Sequence, residues 1–268
     1  MSKDYDILII DDEQVIIDSV IKLCSTEGFS VDSSLDATEG LNKIAKNQYR
    51  LIICDIMLPE MDGFMFLDEI IPQNLDSPVI MTTGYSTVEN AVKSLYTGAI
   101  DFLPKPFTVD ELLSSVFRGL KYAEINKSLK SANLIKNDSS IIYVPCPAKY
   151  FRLGYGSWLY IEHDGSVLTG ITDLLLRTVD SIDHIELANM DEEIVQGNAC
   201  AQLVTSDSIV HNILAPMTGR IIEINDHLLK DKQIIEKDPY FKGWFYRIIP
   251  SDLEYELKHL TPCSSDRI

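Results

Sequence analysis

The sequence predicts two domains of different class: an α/β domain on a parallel sheet, then a mostly β domain with short helices. Three observations lead there. Short apolar runs alternate with amphipathic stretches as far as about Leu120. A long helical run follows, and after Ile141 the apolar runs become short and alternating, separated by Gly and Asp turns. A chain of 268 residues also has room for about two domains of ordinary size.

Taken in order, Ile7-Leu8-Ile9-Ile10 is a buried-strand pattern and Leu51-Ile52-Ile53-Cys54 is another. Pro78-Val79-Ile80-Met81-Thr82 is a third, and Phe102-Leu103 sits in a fourth. Helical spacing covers Glu13 to Glu27, Ala37 to Asn47, Phe64 to Ile71 and Val88 to Thr97. Strands alternating with helices imply a parallel sheet covered on both faces. Such sheets bind ligands at the carboxyl ends of their strands. Asp110 to Leu134 is a further helix, longer than a final crossover needs. Its stripe of Leu112, Val116, Leu120 and Ala123 fits packing on the sheet or a dimer seam, so a homodimer stays open. Asn137-Asp138-Ser139-Ser140 marks a boundary. The expected division is 1–122, a helical linker 123–140, and 141–268.

The second half opens on Trp158-Leu159-Tyr160-Ile161-Glu162, turns at Asp164-Gly165, and returns through Val167-Leu168-Thr169-Gly170-Ile171. Asp-Gly between alternating segments is a hairpin signal. Further strands are expected at Ala199–Val204, Val210–Leu214, Gly219–Ile224 and Trp244–Ile249, with short helices near Thr172–Leu176 and Leu253–Leu260.

Composition narrows the function classes. The chain is 46% hydrophobic and 24% charged, the mix of a soluble globular protein. No apolar run approaches the roughly 20 residues that span a bilayer, and the N-terminus leads straight into a strand pattern. A cytoplasmic protein without membrane association is expected. Five dispersed cysteines (Cys24, Cys54, Cys146, Cys200, Cys263) fit reduced thiols better than disulfides or a zinc site. The net charge is −18, and both halves are acidic: 12 basic against 22 acidic residues up to Ser139, 11 against 19 after it. With no basic cluster, a nucleic-acid partner is not expected.

Asp11 and Asp12 follow the first apolar run and Asp55 follows Leu51–Cys54, which brings three carboxylates to neighbouring strand ends. Close like charges repel, and a proton or a divalent cation must relieve them. Hard oxygen ligands suit Mg2+. Thr83 adds a hydroxyl and Lys105 a fixed cation, next to a Lys105-Pro106 bond with cis potential. Carboxylates, metal, hydroxyl and ammonium around one aspartate are the equipment of phosphoryl transfer.

With these residues in place, the first part of the chain, residues 4 to about 122, resembles a response-regulator receiver domain. The motifs are Asp11-Asp12, the run Cys54-Asp55-Ile56-Met57-Leu58-Pro59-Glu60-Met61-Asp62-Gly63, Thr82-Thr83-Gly84, and Gly98 through Phe107. The resemblance implies a flavodoxin-like (βα)5 fold and Asp55 as phosphoacceptor from a sensor histidine kinase. It implies Mg2+ on Asp12, Asp55 and the Met57 backbone carbonyl, with Asp11 acting through water. Thr83 and Lys105 would contact the phosphoryl group, and Thr83 and Phe102 would form the switch.

The second part resembles the glycine cleavage H protein, whose fold is a flattened β-sandwich of the biotinyl/lipoyl kind (a barrel-sandwich hybrid). The matching stretches are Trp158, Gly170-Ile171-Thr172-Asp173, Ile185-Glu186-Leu187, Gly197, Ala215-Pro216-Met217-Thr218-Gly219, Ile224-Asn225, Asp238-Pro239-Tyr240 and Gly243-Trp244. The family lipoylates a lysine at a hairpin tip. Ser208 takes that place, Thr205 replaces the preceding acid, and no lysine lies within Ala199–Met217. A hydroxyl does not form the stable amide that anchors lipoate, so a non-lipoylated domain is expected. His211 and Asn212 lie nearby; a lone His there reads as an exposed polar residue. His163 and His184 fall in turn-like stretches, and Trp158 and Trp244 read as core.

The expectation is a two-component regulator, not an enzyme beyond its own phosphorylation and dephosphorylation, with an unnamed protein partner for its output domain. The alternatives are a regulator that mimics the carrier and docks on lipoyl or glycine-cleavage enzymes and, behind it, a DNA-binding regulator.

Overall fold

The structure, a computed structural model, describes residues 3–73, 76–134 and 143–267. The boundary expected at Asn137–Ser140 lies outside the described residues. By packing, the chain forms two compact units. One holds the described residues up to Thr87 with those from Thr97 through the long helix; the other holds Val88–Tyr96 with the described residues from 143 on.

The N-terminal sequence alternates β1 (Asp4–Ile10), α1 (Gln14–Thr26), β2 (Val31–Ser34), α2 (Ala37–Ile44), β3 (Gln48–Asp55), α3 (Gly63–Ile70), β4 (Val79–Thr83), α4 (Val88–Thr97), β5 (Asp101–Pro104) and α5 (Val109–Leu134). The five strands form one sheet in the order β2-β1-β3-β4-β5. Every pair is parallel. This is the doubly wound order, with a switch point between β1 and β3. Ile7 to Ile10 and Leu51 to Cys54 are buried throughout because β1 and β3 are covered on both faces. Helix starts are set by side chains: Asp36 accepts from Glu39 N at 2.7 Å and Asp62 from Met65 N at 2.8 Å. Thr108 and Glu111 cap α5 reciprocally, Thr108 N donating to Glu111 Oε2 and Glu111 N to Thr108 Oγ1.

The strand Val31–Ser34 was not among the apolar runs of the sequence. Val-Asp-Ser-Ser has one apolar residue, and as an edge strand it buries only Ser34. The helix expected from Asp110 runs to Leu134. Its stripe of Leu112, Val116, Leu120 and Ala123 is buried within the chain, against β3, β4, β5 and α1. That stripe therefore leaves no free dimer seam. The Lys105-Pro106 bond is cis.

The C-terminal unit is mostly antiparallel β. Its elements are β6 (Phe151–Leu153), β7 (Ser157–Ile161), β8 (Val167–Ile171), α6 (Asp173–Leu176), β9 (Ile182–Leu187), β10 (Glu193–Ile194), β11 (Ala199–Thr205), β12 (Val210–Leu214), β13 (Gly219–Ile224), α7 (Asp226–Lys230), α8 (Gln233–Lys237), β14 (Trp244–Pro250), α9 (Leu253–Glu256) and β15 (Thr261–Pro262). One sheet runs β10-β13-β14-β8-β7-β6-β15 and a smaller one β12-β11-β9. Tyr246, fully buried, ties them: its hydroxyl donates to Cys200 O on β11 and accepts from Ala188 N after β9, both at 2.7 Å. His184 lies within β9 rather than in a turn. His211 is 4% exposed, not a free surface group, because it points inward from β12.

Candidate functional site

The carboxyl ends of β1 and β3 bring Asp11, Asp12 and Asp55 together, with carboxylate oxygens within 4.8 Å of one another. Asp11 and Asp55 are buried and Asp12 is exposed, so the cluster opens at one side. The loop after β5 delivers Lys105, whose Nζ lies 2.6 Å from Asp11 Oδ2 and 3.2 Å from Asp55 Oδ1. Apart from that ammonium, these two oxygens have no hydrogen-bond partner among the described residues. Met57 N donates to Asp55 Oδ2 at 3.1 Å, which fixes the carboxylate rotamer from its own loop. Gly63 makes that loop possible: a Cβ there would lie 2.3 Å from the Asp55 carbonyl oxygen.

The electrostatics follow from burial. Desolvation pushes the Asp11 and Asp55 carboxyls above their ordinary values, and Lys105 only partly offsets it. Burial also works against the Lys105 charge, but the hydrogen bond to Asp11 and the Asp55 charge outweigh it and raise the ammonium. Three carboxylates against one lysine leave the pocket short of positive charge. A hard divalent cation fits the donor set and the spare lone pairs on the buried oxygens.

Thr83, at the end of β4, is fully buried, and its Oγ1 accepts from Tyr85 N at 3.1 Å. Phe102 on β5 is half-buried against the core cluster that includes Ile56, Leu58, Phe66 and Met81. Glu13 went unnoticed in the sequence although it adjoins Asp12. Its carboxylate is 3.8 Å from Lys105 Nζ, and its N–H donates to Asp11 Oδ1 at 3.0 Å.

In the C-terminal unit the motif residues are structural. Trp158 is fully buried and its Nε1 donates to Ile171 O at 2.9 Å. Gly170 admits that indole: a Cβ would sit 2.5 Å from Trp158 Cζ2. Thr172 caps α6 by accepting from Leu175 N, and it donates to Tyr155 O. Asp173 accepts from Val144 N at 2.6 Å, while Tyr240 Oη donates to Val144 O at 2.9 Å, so the segment entering the domain is clamped from two sides. Trp244 is partly buried. Ser208 lies in the turn between β11 and β12 at φ +67°. Thr205 closes that turn, its hydroxyl donating to the Asp207 carboxylate and its N–H to Ile209 O.

A doubly wound sheet with this acidic strand-end pocket defines a class, and the comparisons agree. The chain belongs to the response regulators. The response regulator receiver domain family matches residues 7–117, and the glycine cleavage H-protein family matches residues 149–265. The transcriptional regulatory protein HprR of Escherichia coli is 37% identical over 169 residues, covering 60% of this chain and 74% of HprR. The transcriptional regulatory protein DltR of Streptococcus agalactiae is 36% identical over 110 residues, covering 41% of this chain and 49% of DltR. The chain thus spans about half the length of the first curated relatives it matches. A CheY-like receiver domain protein of known structure from Methanospirillum hungatei is 35% identical, covers 47% of this chain and 99% of its own, and has a TM-score of 0.43. The receiver family takes Mg2+ at an acidic pocket, and this chain has that pocket. No described helix is long and apolar enough to cross a membrane.

Proposed function

We propose that Asp55 accepts a phosphoryl group from the phosphohistidine of a cognate sensor histidine kinase, and that the acyl phosphate changes what the H protein-like domain binds. The observation that carries this reading is the buried Asp11–Asp55–Lys105 arrangement, which holds one nucleophilic carboxylate beside a fixed cation. In the transfer the P–N bond to the kinase imidazole breaks and a P–O bond to the Asp55 carboxylate forms. Asp12, Asp55 and the Met57 carbonyl would hold Mg2+, with Asp11 acting through water; the ion supplies positive charge against the phosphoryl oxygens. Lys105 pairs with the group after transfer. Phosphorylation adds close to two negative charges. Thr83 then turns toward them and Phe102 repacks, which biases a two-state equilibrium. The chain has no catalytic role beyond its own phosphorylation and dephosphorylation, and it works in the cytoplasm.

The C-terminal domain is read as a protein-binding output without lipoate, since its hairpin presents Ser208 and no lysine. A second reading draws on the same hairpin: its turn places a residue at the family's acceptor position, so the domain can dock on lipoyl or glycine-cleavage enzymes as a mimic. The relatives carry names of transcriptional regulators, but the acidic second half has no basic cluster to hold a phosphate backbone. Affinity capture from native lysate with Mg2+, with and without beryllofluoride, tests the output. A partner enriched in one state supports a regulated adaptor, and a lipoyl enzyme among the captured proteins favours the mimic. Identical captures in both states contradict a phosphorylation-controlled output.

A further inference from the structure

The turn between β11 and β12 is strained, fixed and exposed at once. Ser206, Asp207 and Ser208 are all exposed, between the strand ends Thr205 and Val210. Ser208 sits at φ +67°, a left-handed conformation that glycine takes without steric cost and serine does not. Hydrogen bonds around it hold it there. Ser208 N donates to Thr205 O at 2.9 Å, Thr205 N to Ile209 O at 3.0 Å, and Ser206 N to Ser181 O at 3.0 Å, just before β9. The Thr205 hydroxyl is engaged inside the turn, donating to the Asp207 carboxylate. The Ser208 hydroxyl makes no hydrogen bond to any described residue. Strained residues that their surroundings hold in place cluster at functional sites. Here the side chain that glycine would lack is an exposed hydroxyl, presented on a rigid tip.

We infer that Ser208 is a phosphorylation site, taking a phosphoryl group from a nucleoside triphosphate held by a protein serine kinase. The site itself does not depend on Asp55; its effect on the output rests on the proposed role of this hairpin as a recognition surface. In the transfer a bond forms between Ser208 Oγ and the γ-phosphorus. The bond from that phosphorus to the β,γ-bridging oxygen breaks, the nucleoside diphosphate leaves, and the hydroxyl proton passes to a base of the kinase. A phosphate monoester of serine persists in water, whereas a carboxylic ester or an acyl phosphate is short-lived. The tip is also built so that added charge has a consequence. The hydrogen bond from Thr205 holds Asp207 below its ordinary carboxylate value, so it stays ionised beside Ser208. A phosphoserine sets close to two negative charges next to it. Repulsion between the two then works against the Thr205–Asp207 bond that closes the turn. The hairpin loosens, and the surface it offers to partners changes by a route that does not pass through the acidic pocket.

Peptide mass spectrometry of the full chain isolated from its native cells tests the site. Treatment with hydroxylamine first removes any acyl phosphate from Asp55 and spares a serine monoester. One hydroxylamine-stable phosphoryl group is expected within 199–217, placed on Ser208 by fragmentation. It should persist in Ser206→Ala and be absent from Ser208→Gly. Glycine suits the positive φ, so the second variant keeps the hairpin and a lost phosphoryl group is not a folding defect. No stable phosphoryl group within 199–217, or one that persists in Ser208→Gly, overturns the site and leaves Asp55 as acceptor untouched. Hydrogen exchange tests the consequence. With Ser208 phosphorylated, exchange over 204–210 is expected to speed severalfold over the unmodified chain while β14 stays protected. Equal exchange in the two forms overturns the loosening.

Discussion

At the scale of the residue, the chemistry of this protein is an imbalance of charge. Asp11 and Asp55 are buried with Lys105 as their one close cation among the described residues, and burial raises both carboxyls above their ordinary values. A raised carboxyl in the folded state contributes stability that is fully present at pH below its unfolded value. That contribution is lost as pH rises through the folded value, and at neutral pH the paired charges are a cost. Asp55→Asn is therefore expected to stabilise the metal-free protein at neutral pH. The gain should vanish below about pH 4, and saturating Mg2+ should narrow it by stabilising the wild type. Urea denaturation at two pH values checks this; a destabilised Asp55→Asn at neutral pH contradicts it. Gly170→Ala forces a Cβ to 2.5 Å from a rigid indole and should cost about 1–3 kcal/mol by overpacking, measured the same way. All five cysteines are buried thiols outside any disulfide among the described residues, and desolvation pushes Cys24 up to about 11 and Cys200 up to about 12. Ellman's reagent should find no rapidly reacting thiol in the native protein and five after denaturation. The pocket residues were legible because acids and a lysine at strand ends stand out against apolar runs. Glu13 was not, because a charged residue beside two others carries no pattern of its own.

At the scale of the element, the sequence was readable where a segment is buried on both faces or on one clear stripe. The apolar runs of β1, β3 and β4 and the spacing of α1, α3 and α4 stood out for that reason. Strand β2 did not, since an edge strand with three polar residues buries almost nothing. Strands β6, β9, β10 and β15 and helices α7 and α8 were also not read from periodicity. Two or three residues are too short to show a period, and β9 exposes Asp183, His184 and Glu186 together. The β11–β12 hairpin was legible from its alternation, but its turn geometry was not. Ser208 at φ +67° holds a conformation that L residues adopt at a cost. Ser208→Gly should therefore leave the fold intact and raise stability by up to about 1 kcal/mol. A loss of stability would show that the Ser208 side chain does more than fill the turn.

At the scale of the whole molecule, two family matches and two packing units divide the chain at different places. Residues 7–117 form the receiver match, whereas Val88–Tyr96 packs with the C-terminal unit. Sequence periodicity does not reveal this, because it reports that a helix has an apolar stripe and not which body covers it. Phosphoryl transfer to Asp55 is the one event proposed to join these parts. The measurement that tests it most directly is intact mass after incubation with acetyl phosphate, with Mg2+ or with a chelator, for the wild type and Asp55→Ala. The account predicts one phosphoryl group on the wild type with Mg2+, none with the chelator, and none on Asp55→Ala. Full phosphorylation of Asp55→Ala would contradict it, because the acceptor would then lie elsewhere in the chain.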